Sequence, residues 1–537
     1  MWLVLYGHVN TMKRMNAMSA STEKKNRQAA RAAGTDKKTL AAQEEAKKRA
    51  KSKRKWTLGT IGVVVLIALI LFLNSGFLYT GTTAVTLGGS GYSPAQVNYY
   101  YANEYYYFTK QYGSYASIFG LDTSSGLAGA ASQSCSMVEG GTWKDYFLQA
   151  AYSEMAQTAA LVNYAGENGI TLTDEEIAGI DSSFTDMETY AKSLGFSGVD
   201  NYLEANYGNG VDSKVVRQAA VEAALADKAY SHYLDTLSYT DEELEDYYQS
   251  LEGASDLFDY AYYYVAAEKV TVEPETEDGE ATEEVTEETL AAAKETADRI
   301  MAAYKEAEDG GDVLQRLTDA AATQIADAQA TRTESASGSA LGAYKEWMMG
   351  NRKTGDVNVI ENASGEGYSV IAFIGRNDNH YATAQVRHIL IKAEASEDGT
   401  YTDEAKAAAK SKAEEILAQY LSGDKTEESF AALAEEYSED EGSNTNGGLY
   451  DAVPKGQMVD EFDAFCFEEH KKGDTAIVYG ETSGYAGYHV MYYVGEGELY
   501  SNIIAKNALM SQDVNAWLEE ISAAYEPVPG FWTRLVG

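Results

Sequence analysis

An uncharged, mostly apolar run extends from Leu58 to Leu73, and aromatic residues lie on both sides of it. With these flanks the run covers residues 56–78, which is about the 20 residues that a helix needs to cross a bilayer. Lys and Arg crowd its N-terminal side, so the pattern predicts a transmembrane helix over 56–78 with residues 1–55 as a basic cytoplasmic tail. The alternatives are a buried core helix and a cleaved signal peptide, but the basic region before the run is far longer than a usual signal n-region.

A linker rich in Gly, Thr and Ser at 79–95 leads into apolar positions at helical spacing, which continue to residue 255. Thr173 and Thr240 each stand before a run of carboxylates, which is the pattern of a helix N-cap followed by acids in the first turn. Residues 96–255 are therefore predicted to form an all-helical, chaperone-like module. Its dense tyrosines are either core and surface packing or a binding face for varied partners.

Beyond this module the same order of elements occurs twice: a strand, an acidic loop, two helices and a final strand. The first set lies at 259–269, 286–308, 312–322 and 367–375, and the second at 385–395, 402–421, 427–437 and 487–495. This order predicts a duplicated α+β domain, with copies at 256–376 and 383–497, followed by a C-terminal helix within 498–537. The predicted fold class is thus α+β, with one transmembrane helix, a helical module and two α+β domains.

The net charge of −41 hides a division along the chain. Residues 1–55 carry a net charge of +11, so the rest of the chain carries −52. A body this acidic repels polyanions, which excludes nucleic-acid binding. Only two cysteines are present, Cys135 and Cys466, so a disulfide scaffold and a Cys-rich zinc site are excluded. Phosphate-loop, dinucleotide-binding and zinc-protease motifs do not occur, so no cofactor and no metal are expected.

Several short motifs follow one another in the second copy. They are Arg387-His388-Ile389-Leu390, Phe430-Ala431-Ala432-Leu433-Ala434, Tyr437-Ser438-Glu439-Asp440, Gly447-Gly448, Gly456-Gln457-Met458-Val459-Asp460-Glu461-Phe462 and Gly487-Tyr488-His489-Val490. Each motif alone is weak, but the ordered set resembles the parvulin family of peptidyl-prolyl isomerases. The arrangement of a membrane segment, a helical module and parvulin-like domains resembles the extracytoplasmic foldases of the PrsA and SurA type.

Two histidines, His388 and His489, alternate with apolar neighbours on separate predicted strands. The resemblance implies that they are adjacent at the centre of the sheet, where they shape and polarise the catalytic groove. It also implies that Asp440 faces the amide carbonyl of the substrate and that Thr482 is the hydroxyl near the second histidine. Taken alone, a histidine of this kind is an ordinary core residue, and metal binding is disfavoured because no further partner completes a ligand set.

An isomerase of X–Pro bonds needs an apolar pocket for the proline ring and no covalent chemistry, because the barrier of about 18–20 kcal/mol arises from amide resonance. Met458, Phe462 and Phe467 are predicted to form this pocket, and the i, i+4 spacing would place the first two on one helical face. Without the surrounding motifs the three are ordinary core residues. Tyr450 stands where the family has a pocket leucine and is predicted to cover the proline ring, whereas Asp451 stands in place of a glycine.

The first copy lacks these groups. Tyr262 is at the place of His388, Ser369 replaces His489, and residues 347–349 are the nearest remnant of the pocket segment. The first copy is therefore predicted to be a degenerate, inactive domain that serves as a spacer or a peptide-binding surface.

These features predict a bacterial plasma-membrane protein with a single membrane pass and an extracytoplasmic bulk. Its predicted function is to isomerise X–Pro bonds in unfolded or newly secreted polypeptides and to hold unfolded chains. The alternative is a non-catalytic chaperone or scaffold in which the parvulin-like domains are vestigial. The two histidines and the pocket residues favour the enzyme, whereas Tyr450 and Asp451 leave room for the scaffold. The sequence leaves the oligomeric state open.

Overall fold

A computed structural model describes residues 24–26, 28–29, 32–33, 37–73, 76–272, 282–307, 311–396 and 399–537. The chain divides into two compact units. One unit contains Met1–His232 together with Leu518–Gly537, and the other contains Tyr233–Trp517. Both predicted α+β copies fall within the second unit.

The first unit is built mainly from helices. They are α1 (Lys37–Leu73), α2 (Phe77–Thr80), α3 (Pro94–Tyr112), α4 (Gly126–Ala130), α5 (Trp143–Glu167), α6 (Asp174–Ser193), α7 (Val199–Tyr207) and most of α8 (Ser213–Thr236). A small antiparallel sheet places β1 (Val85–Leu87) between β2 (Ser90–Tyr92) and the strand Val528–Pro529.

The predicted N-cap at Thr173 is confirmed. Its side chain accepts a hydrogen bond from the backbone N–H of Glu176, and the Glu176 carboxylate accepts one from the backbone N–H of Thr173. This reciprocal pair satisfies two amides that the first turn of a helix would otherwise leave without partners. Thr240 and Glu243 form the same pair at the start of the helix Asp241–Ser250.

Tyrosines of α3 take part in the core of the first unit. Tyr101, Tyr105 and Phe108 follow one another at i, i+4 and i+7, so they lie on one face of the helix. All three rings contact Phe147 of α5, with centroid distances of 6.2, 5.7 and 5.9 Å. For these residues packing is the correct interpretation, whereas Tyr107, on the opposite side of α3, is exposed.

The second unit contains two four-stranded antiparallel sheets. The first half of this unit contains α9 (Asp241–Ser250), β3 (Leu257–Ala266), β4 (Lys269–Val272), β5 (Thr282–Val285), α10 (Glu287–Glu306), α11 (Val313–Ala322), β6 (Thr331–Ser337), α12 (Lys345–Met348), β7 (Val357–Glu361) and β8 (Gly367–Asn377). Of these strands, β4 and β5 pair with each other in a separate two-stranded sheet. The elements of the second sheet are β9 (Ala382–Lys392), α13 (Asp403–Ser422), α14 (Glu427–Tyr437), β10 (Leu449–Val453), α15 (Asp460–Phe467), β11 (Thr475–Glu481) and β12 (Ala486–Leu499), and α16 (Tyr500–Ser522) follows them.

The two sheets have the same topology. The first has the order β6-β3-β8-β7 and the second the order β10-β9-β12-β11, so the first and last long strands of each copy pair at its centre. This order agrees with the repeat of elements seen in the sequence. The mixed α+β fold class is confirmed.

The second sheet presents two different faces. Ile389 of β9 and Val490 of β12 are fully buried and pack with apolar residues of α13 and α14. Because side chains alternate along a strand, Val386 and Met491 point to the other face, where they pack with Phe462 of α15. The candidate site lies on this second face.

The helix α1 starts inside the predicted tail and continues into the predicted transmembrane span, so no element boundary separates residue 55 from residue 56. The residues before position 56 are mostly good helix formers (Ala, Lys, Arg, Glu and Gln), whereas Val, Ile, Thr and Gly are frequent after it, so helix propensity favours only the first part of α1. Among the residues that the structure describes, no helix is both long and apolar enough to cross a membrane. Residues 1–23 of the predicted tail and 74–75 of the predicted span lie outside the described residues.

Candidate active site

Two histidines lie next to each other at the centre of the second sheet. His388 is on β9 opposite Met491, and His489 is on the neighbouring β12 opposite Leu390. Strand alternation turns both side chains away from α13 and α14. Their Nδ1 atoms are 3.0 Å apart, their ring planes differ by 23°, and only 3% of His388 and 4% of His489 is exposed. The structure thus brings together the pair that the sequence singled out.

Asp440 lies on the loop after α14 and accepts three hydrogen bonds at one oxygen. The donors to its Oδ2 are His388 Nε2 (2.8 Å), the Ser443 hydroxyl (2.5 Å) and the Tyr450 hydroxyl (3.0 Å). The bond from His388, followed by those from the two hydroxyls, holds the pKa of Asp440 well below its usual range. Since an ionised carboxylate only accepts hydrogen bonds, the proton between Asp440 and His388 is on Nε2.

Tyr450 therefore both donates a hydrogen bond to Asp440 and packs with the apolar residues on this face of the sheet. Burial and the nearby Asp440 charge raise the pKa of Tyr450 to about 12, so its hydroxyl is protonated at neutral pH and donates. Its ring centroid is 5.3 Å from that of His388. Tyrosine at this position, where the family has leucine, thus adds a hydrogen-bond donor to the Asp440 carboxylate.

The loop that carries Asp440 is tied back to β9. Arg387 Nη1 donates to the carbonyl of Gly447 (2.9 Å), and the backbone N–H of His388 donates to the carbonyl of Gly448 (2.9 Å). These bonds fix the distance between the loop and the strand, so Asp440 is held against the histidine.

Apolar side chains from α15 and the segment before it form a wall beside the histidines. Phe462 is 2% exposed and stands edge-on to both imidazole rings, at centroid distances of 5.4 and 5.3 Å. Met458 is a half-buried member of the same apolar cluster. However, α15 begins only at Asp460, so the prediction that Met458 and Phe462 share one helical face is wrong, although the structure places both in this cluster.

The structure places Phe467 at the same apolar cluster as Met458 and Phe462, where its side chain is half-buried. Its ring packs against Tyr381, at a centroid distance of 6.0 Å. The residues that α15 turns inward together with Phe462 are Phe465 and Cys466, which are 4% and 3% exposed. They are the i+3 and i+4 positions, whereas Phe467 is one residue further round the helix.

The hydroxyl beside His489 belongs to Tyr485, not to Thr482. Tyr485 Oη lies 3.1 Å from His489 Nε2. Thr482 instead accepts a hydrogen bond from the backbone N–H of Gly484 at 3.1 Å, within the turn between β11 and β12. The prediction for Thr482 is therefore wrong, because the turn engages its short side chain while the longer side chain of Tyr485 reaches back to the histidine.

Residues 368–492 match the family model of the PPIC-type PPIASE domain. This match confirms the resemblance to the parvulin-type isomerases. The match begins in β8, which belongs to the first sheet, whereas the sheet that carries the histidines begins at Ala382. We use the term parvulin-type domain for residues 383–497.

Two similar curated proteins are PrsA foldases. Foldase protein PrsA 1 of Listeria innocua is 34% identical over 100 residues, which are 19% of this chain and 27% of that protein. Foldase protein PrsA 1 of Listeria monocytogenes is 33% identical over the same shares. The chain thus spans about a quarter of the length of these relatives. The crystal structure of PrsA from Bacillus subtilis is 15% identical over 71% of this chain and 86% of that chain, and its TM-score of 0.22 does not establish a common overall arrangement.

The first copy has a sheet of the same topology as the second copy but lacks its histidine pair. Tyr262 and Ser369 occupy the register positions that His388 and His489 occupy in the second sheet, as the sequence comparison predicted. The Ser369 hydroxyl is hydrogen-bonded to that of Tyr344 at 2.8 Å. No carboxylate–histidine pair is therefore present at these positions of the first sheet.

Three residues at the site were missed by sequence reasoning: Ser443, Tyr485 and Gly480. Ser443 follows Asp440 by three residues, a spacing that lets a turn bring the two side chains together. Gly480 of β11 makes room for the second histidine, because a Cβ there would lie 2.9 Å from His489 Nε2. A glycine inside a strand indicates a close approach of another group, and this signal was available in the sequence. No comparable signal marked Tyr485.

Acidification from pH 7 to pH 5 is expected to destabilise the parvulin-type domain by about 2 kcal/mol through His489 alone. Burial, and then the neighbouring His388, lower the pKa of His489 to about 3. Below pH of about 6.5 the unfolded chain takes up a proton that the folded His489 does not, so the free energy of unfolding falls until the pH approaches 3. Asp440 does not contribute to the change between pH 7 and pH 5, because its carboxyl is ionised in both states there: the pKa in the unfolded chain is about 3.9, and the pKa in the folded protein is lower still.

Urea denaturation of the wild type and of His489→Gln at both pH values measures this effect. The loss of stability on acidification should be smaller in the variant by the His489 contribution. Equal losses in the two proteins would contradict the assignment of a neutral, buried His489.

Proposed function

We propose that the parvulin-type domain catalyses cis–trans isomerisation of X–Pro bonds in unfolded or newly secreted polypeptides. The observation that carries this proposal is the hydrogen-bonded set Asp440–His388–His489, which lies beside the apolar wall of Phe462 and Met458. The PPIC-type family match supports the same activity.

The site acts without covalent chemistry. The planar amide carries negative charge on its carbonyl oxygen through resonance, and rotation about the C–N bond removes that charge. An ionised Asp440 facing the carbonyl therefore disfavours the planar amide more than the twisted one, which lowers the barrier. Phe462 and Met458 would hold the proline ring while the preceding residue rotates. The buried histidine pair gives the carboxylate a fixed position.

The test is a proline-isomerisation assay on the full chain, with the wild type beside His388→Ala and Met458→Ala. Both variants are expected to lose most of the catalysed rate, because one removes a donor to Asp440 and the other removes part of the apolar wall. Met137→Ala, at an exposed position outside the domain, is the matched control and should keep the wild-type rate. Since the first copy lacks both histidines, no catalysis should remain from it.

Equal rates for the wild type and the two site variants, near the uncatalysed background, would favour the alternative of a non-catalytic chaperone or scaffold. A residual rate in His388→Ala that disappears on changing Ser369 would show that the first copy is active.

We propose a second activity, the holding of unfolded chains, and we assign it to the helical module at residues 96–255. Large apolar and aromatic side chains are exposed there: 67% of Tyr107, 66% of Tyr115 and 75% of Ile118. Exposed apolar side chains are suited to transient contact with unfolded segments. Suppression of aggregation of a denatured client should weaken when Tyr115 and Ile118 are both changed to serine, and unchanged suppression would refute this part.

The proposed location is the outer side of a bacterial plasma membrane, with the segment 56–78 as the anchor and residues 1–55 in the cytoplasm. The support is the uncharged run in the sequence and the basic residues before it. Expression of the full chain and of a variant lacking 58–73 tests this, because only the full chain should sediment with the membrane fraction after a high-salt wash.

A further inference from the structure

Met458 lies on the segment of residues 454–459, which joins β10 to α15 and belongs to neither. Gly456, at the turn of this segment, has φ of +77°. Residues 455–457 are exposed, whereas Met458 is half-buried in the apolar cluster beside the histidines. Because the exposed turn buries little apolar surface, its polar contacts determine where Met458 lies.

Two side chains accept hydrogen bonds from the backbone of this turn. The Lys455 N–H donates to the hydroxyl of Tyr381 at 3.0 Å, and the Gly456 N–H donates to the Asp463 carboxylate at 2.7 Å. Asp463 is on α15, into which the segment leads, but Tyr381 is remote in the chain. It comes directly before β9 and outside the parvulin-type domain at 383–497. The turn is thus tied to a residue 74 positions earlier.

The ring of Tyr381 adds a second contact to the same segment. The ammonium of Lys455 lies 4.7 Å from the centroid of the Tyr381 ring and 5.3 Å from that of Phe467. Phe467 meets Tyr381 edge-on, with the ring planes at 81°. A cation over an aromatic face is attracted by the quadrupole of the ring. Tyr381 therefore contacts the segment both through its hydroxyl and through its ring.

Tyr381 is itself fixed by the start of α16. Its backbone carbonyl accepts a hydrogen bond from the Tyr500 N–H at 2.9 Å, and the centroids of the two rings are 5.6 Å apart. Burial raises the pKa of Tyr381, so its hydroxyl is protonated at neutral pH and accepts from Lys455 through a lone pair. The turn is thus held against a residue that has its own anchor.

We propose that Tyr381 is a positioning residue of the isomerase site, which holds the segment 454–459 so that Met458 stays in the apolar wall. The inference rests on the proposed isomerase function, to which it adds a residue from outside the domain that acts through Met458. Met458 packs in the same cluster as Phe462, which stands edge-on to both histidines. Displacement of Met458 would therefore open the wall against which the proline ring is proposed to lie.

Tyr381→Phe removes only the hydroxyl and leaves the ring against Lys455 and Phe467. In the full chain, kcat/KM for a proline peptide is expected to fall about 5-fold, because one hydrogen bond of this kind contributes about that factor. The loss should arise mainly in KM, since Met458 would hold the proline ring in the ground state and the transition state alike. The value of kcat, which depends on Asp440, should stay near that of the wild type.

The matched control is Tyr479→Phe. Tyr479 also has a lysine over its ring, with Lys406 Nζ 5.5 Å from the centroid, and its hydroxyl donates to Glu481. It packs with apolar residues of α13 and α14, on the face of the sheet opposite to the histidines. The same atom is removed in both variants, but only Tyr381→Phe removes a contact of the segment 454–459. Tyr479→Phe should therefore keep the wild-type KM and kcat.

The position of Met458 can be measured directly by ¹³C-methyl NMR of the methionines in the full chain, with Met458→Ala used to assign its signal. In the wild type and in Tyr479→Phe, the rings of the wall should displace this signal from its random-coil position. In Tyr381→Phe the signal should move toward the random-coil position, with hydrogen exchange of β9 and β12 unchanged. An unchanged Met458 signal in Tyr381→Phe would overturn the proposal, and so would faster exchange throughout both strands, because the role would then be one of stability.

Catalysis separates failure of this proposal from failure of the proposed function. If the wild type does not catalyse at all, the proposed function fails, while the Met458 signal still decides whether Tyr381 holds the segment. If the wild type catalyses and Tyr381→Phe has the wild-type KM, the positioning role is wrong.

Discussion

Alanine in place of Gly448 is expected to lower the free energy of unfolding of the parvulin-type domain by about 3–5 kcal/mol, a large share of the roughly 5–15 kcal/mol that is typical of a folded domain. Gly448 has φ of +72°, a conformation that residues with a Cβ rarely adopt. A Cβ at this position would lie 2.2 Å from the carbonyl oxygen of His388, so the backbone has to move.

This movement would break the contact that ties the loop to the strand. The N–H of His388 donates to the carbonyl of Gly448 at 2.9 Å, and both groups belong to the closest approach of the loop. Asp440 is on the same loop and would shift away from His388 Nε2. We therefore expect the isomerase activity of Gly448→Ala to be lost together with stability.

Hydrogen exchange of the amides of β9 and β12, followed by mass spectrometry of the full chain, measures the stability of this domain separately from the rest. Gly484→Ala is the control, because its nearest neighbour would be 3.8 Å from the added Cβ and its φ is not positive. This control should be unchanged or slightly stabilised. Protection in Gly448→Ala equal to that in Gly484→Ala would show that the loop adapts and that the close approach is not required.

The histidine pair was predicted from two sources. Alternation with apolar residues indicates that His388 and His489 each point away from Ile389 and Val490, whereas the adjacency of the two rings at the centre of one sheet was implied only by the resemblance to the parvulin family. The repeated order of strands and helices predicted a duplicated α+β domain, and the two sheets of the structure have the same strand order. Local rules of this kind do not depend on the rest of the chain.

The errors are at positions where a turn or a helix start decides the geometry. Periodicity linked Met458 to Phe462, but the helix begins between them, at Asp460. Thr482 and Tyr485 belong to one hairpin turn, and only the backbone path of that turn shows which hydroxyl reaches His489. The sequence does not specify such paths, because residues of several types can adopt the same turn.

Asparagine in place of Asp440 is expected to reduce kcat/KM about 100-fold, a typical effect of removing one preorganised electrostatic group. The carboxylate oxygen accepts hydrogen bonds from His388, Ser443 and Tyr450, and charge-assisted bonds of this kind are the strong ones. An amide keeps the shape of the side chain but loses the charge that disfavours the planar substrate amide. The measurement is kcat/KM for a proline peptide with the full chain at pH 7.

Glu441→Gln separates this local effect from the overall charge of the domain. Glu441 is the next residue and is exposed, so its variant removes the same charge without touching His388. It is expected to keep the wild-type rate within a factor of about two, because an exposed charge is screened by salt. Equal losses in the two variants would mean that the acidic surface, and not the carboxylate at His388, acts on the substrate. A loss in Asp440→Asn alone, together with unchanged hydrogen exchange of β9, would place the effect on the reaction itself, because the domain would then be folded with its histidine pair intact.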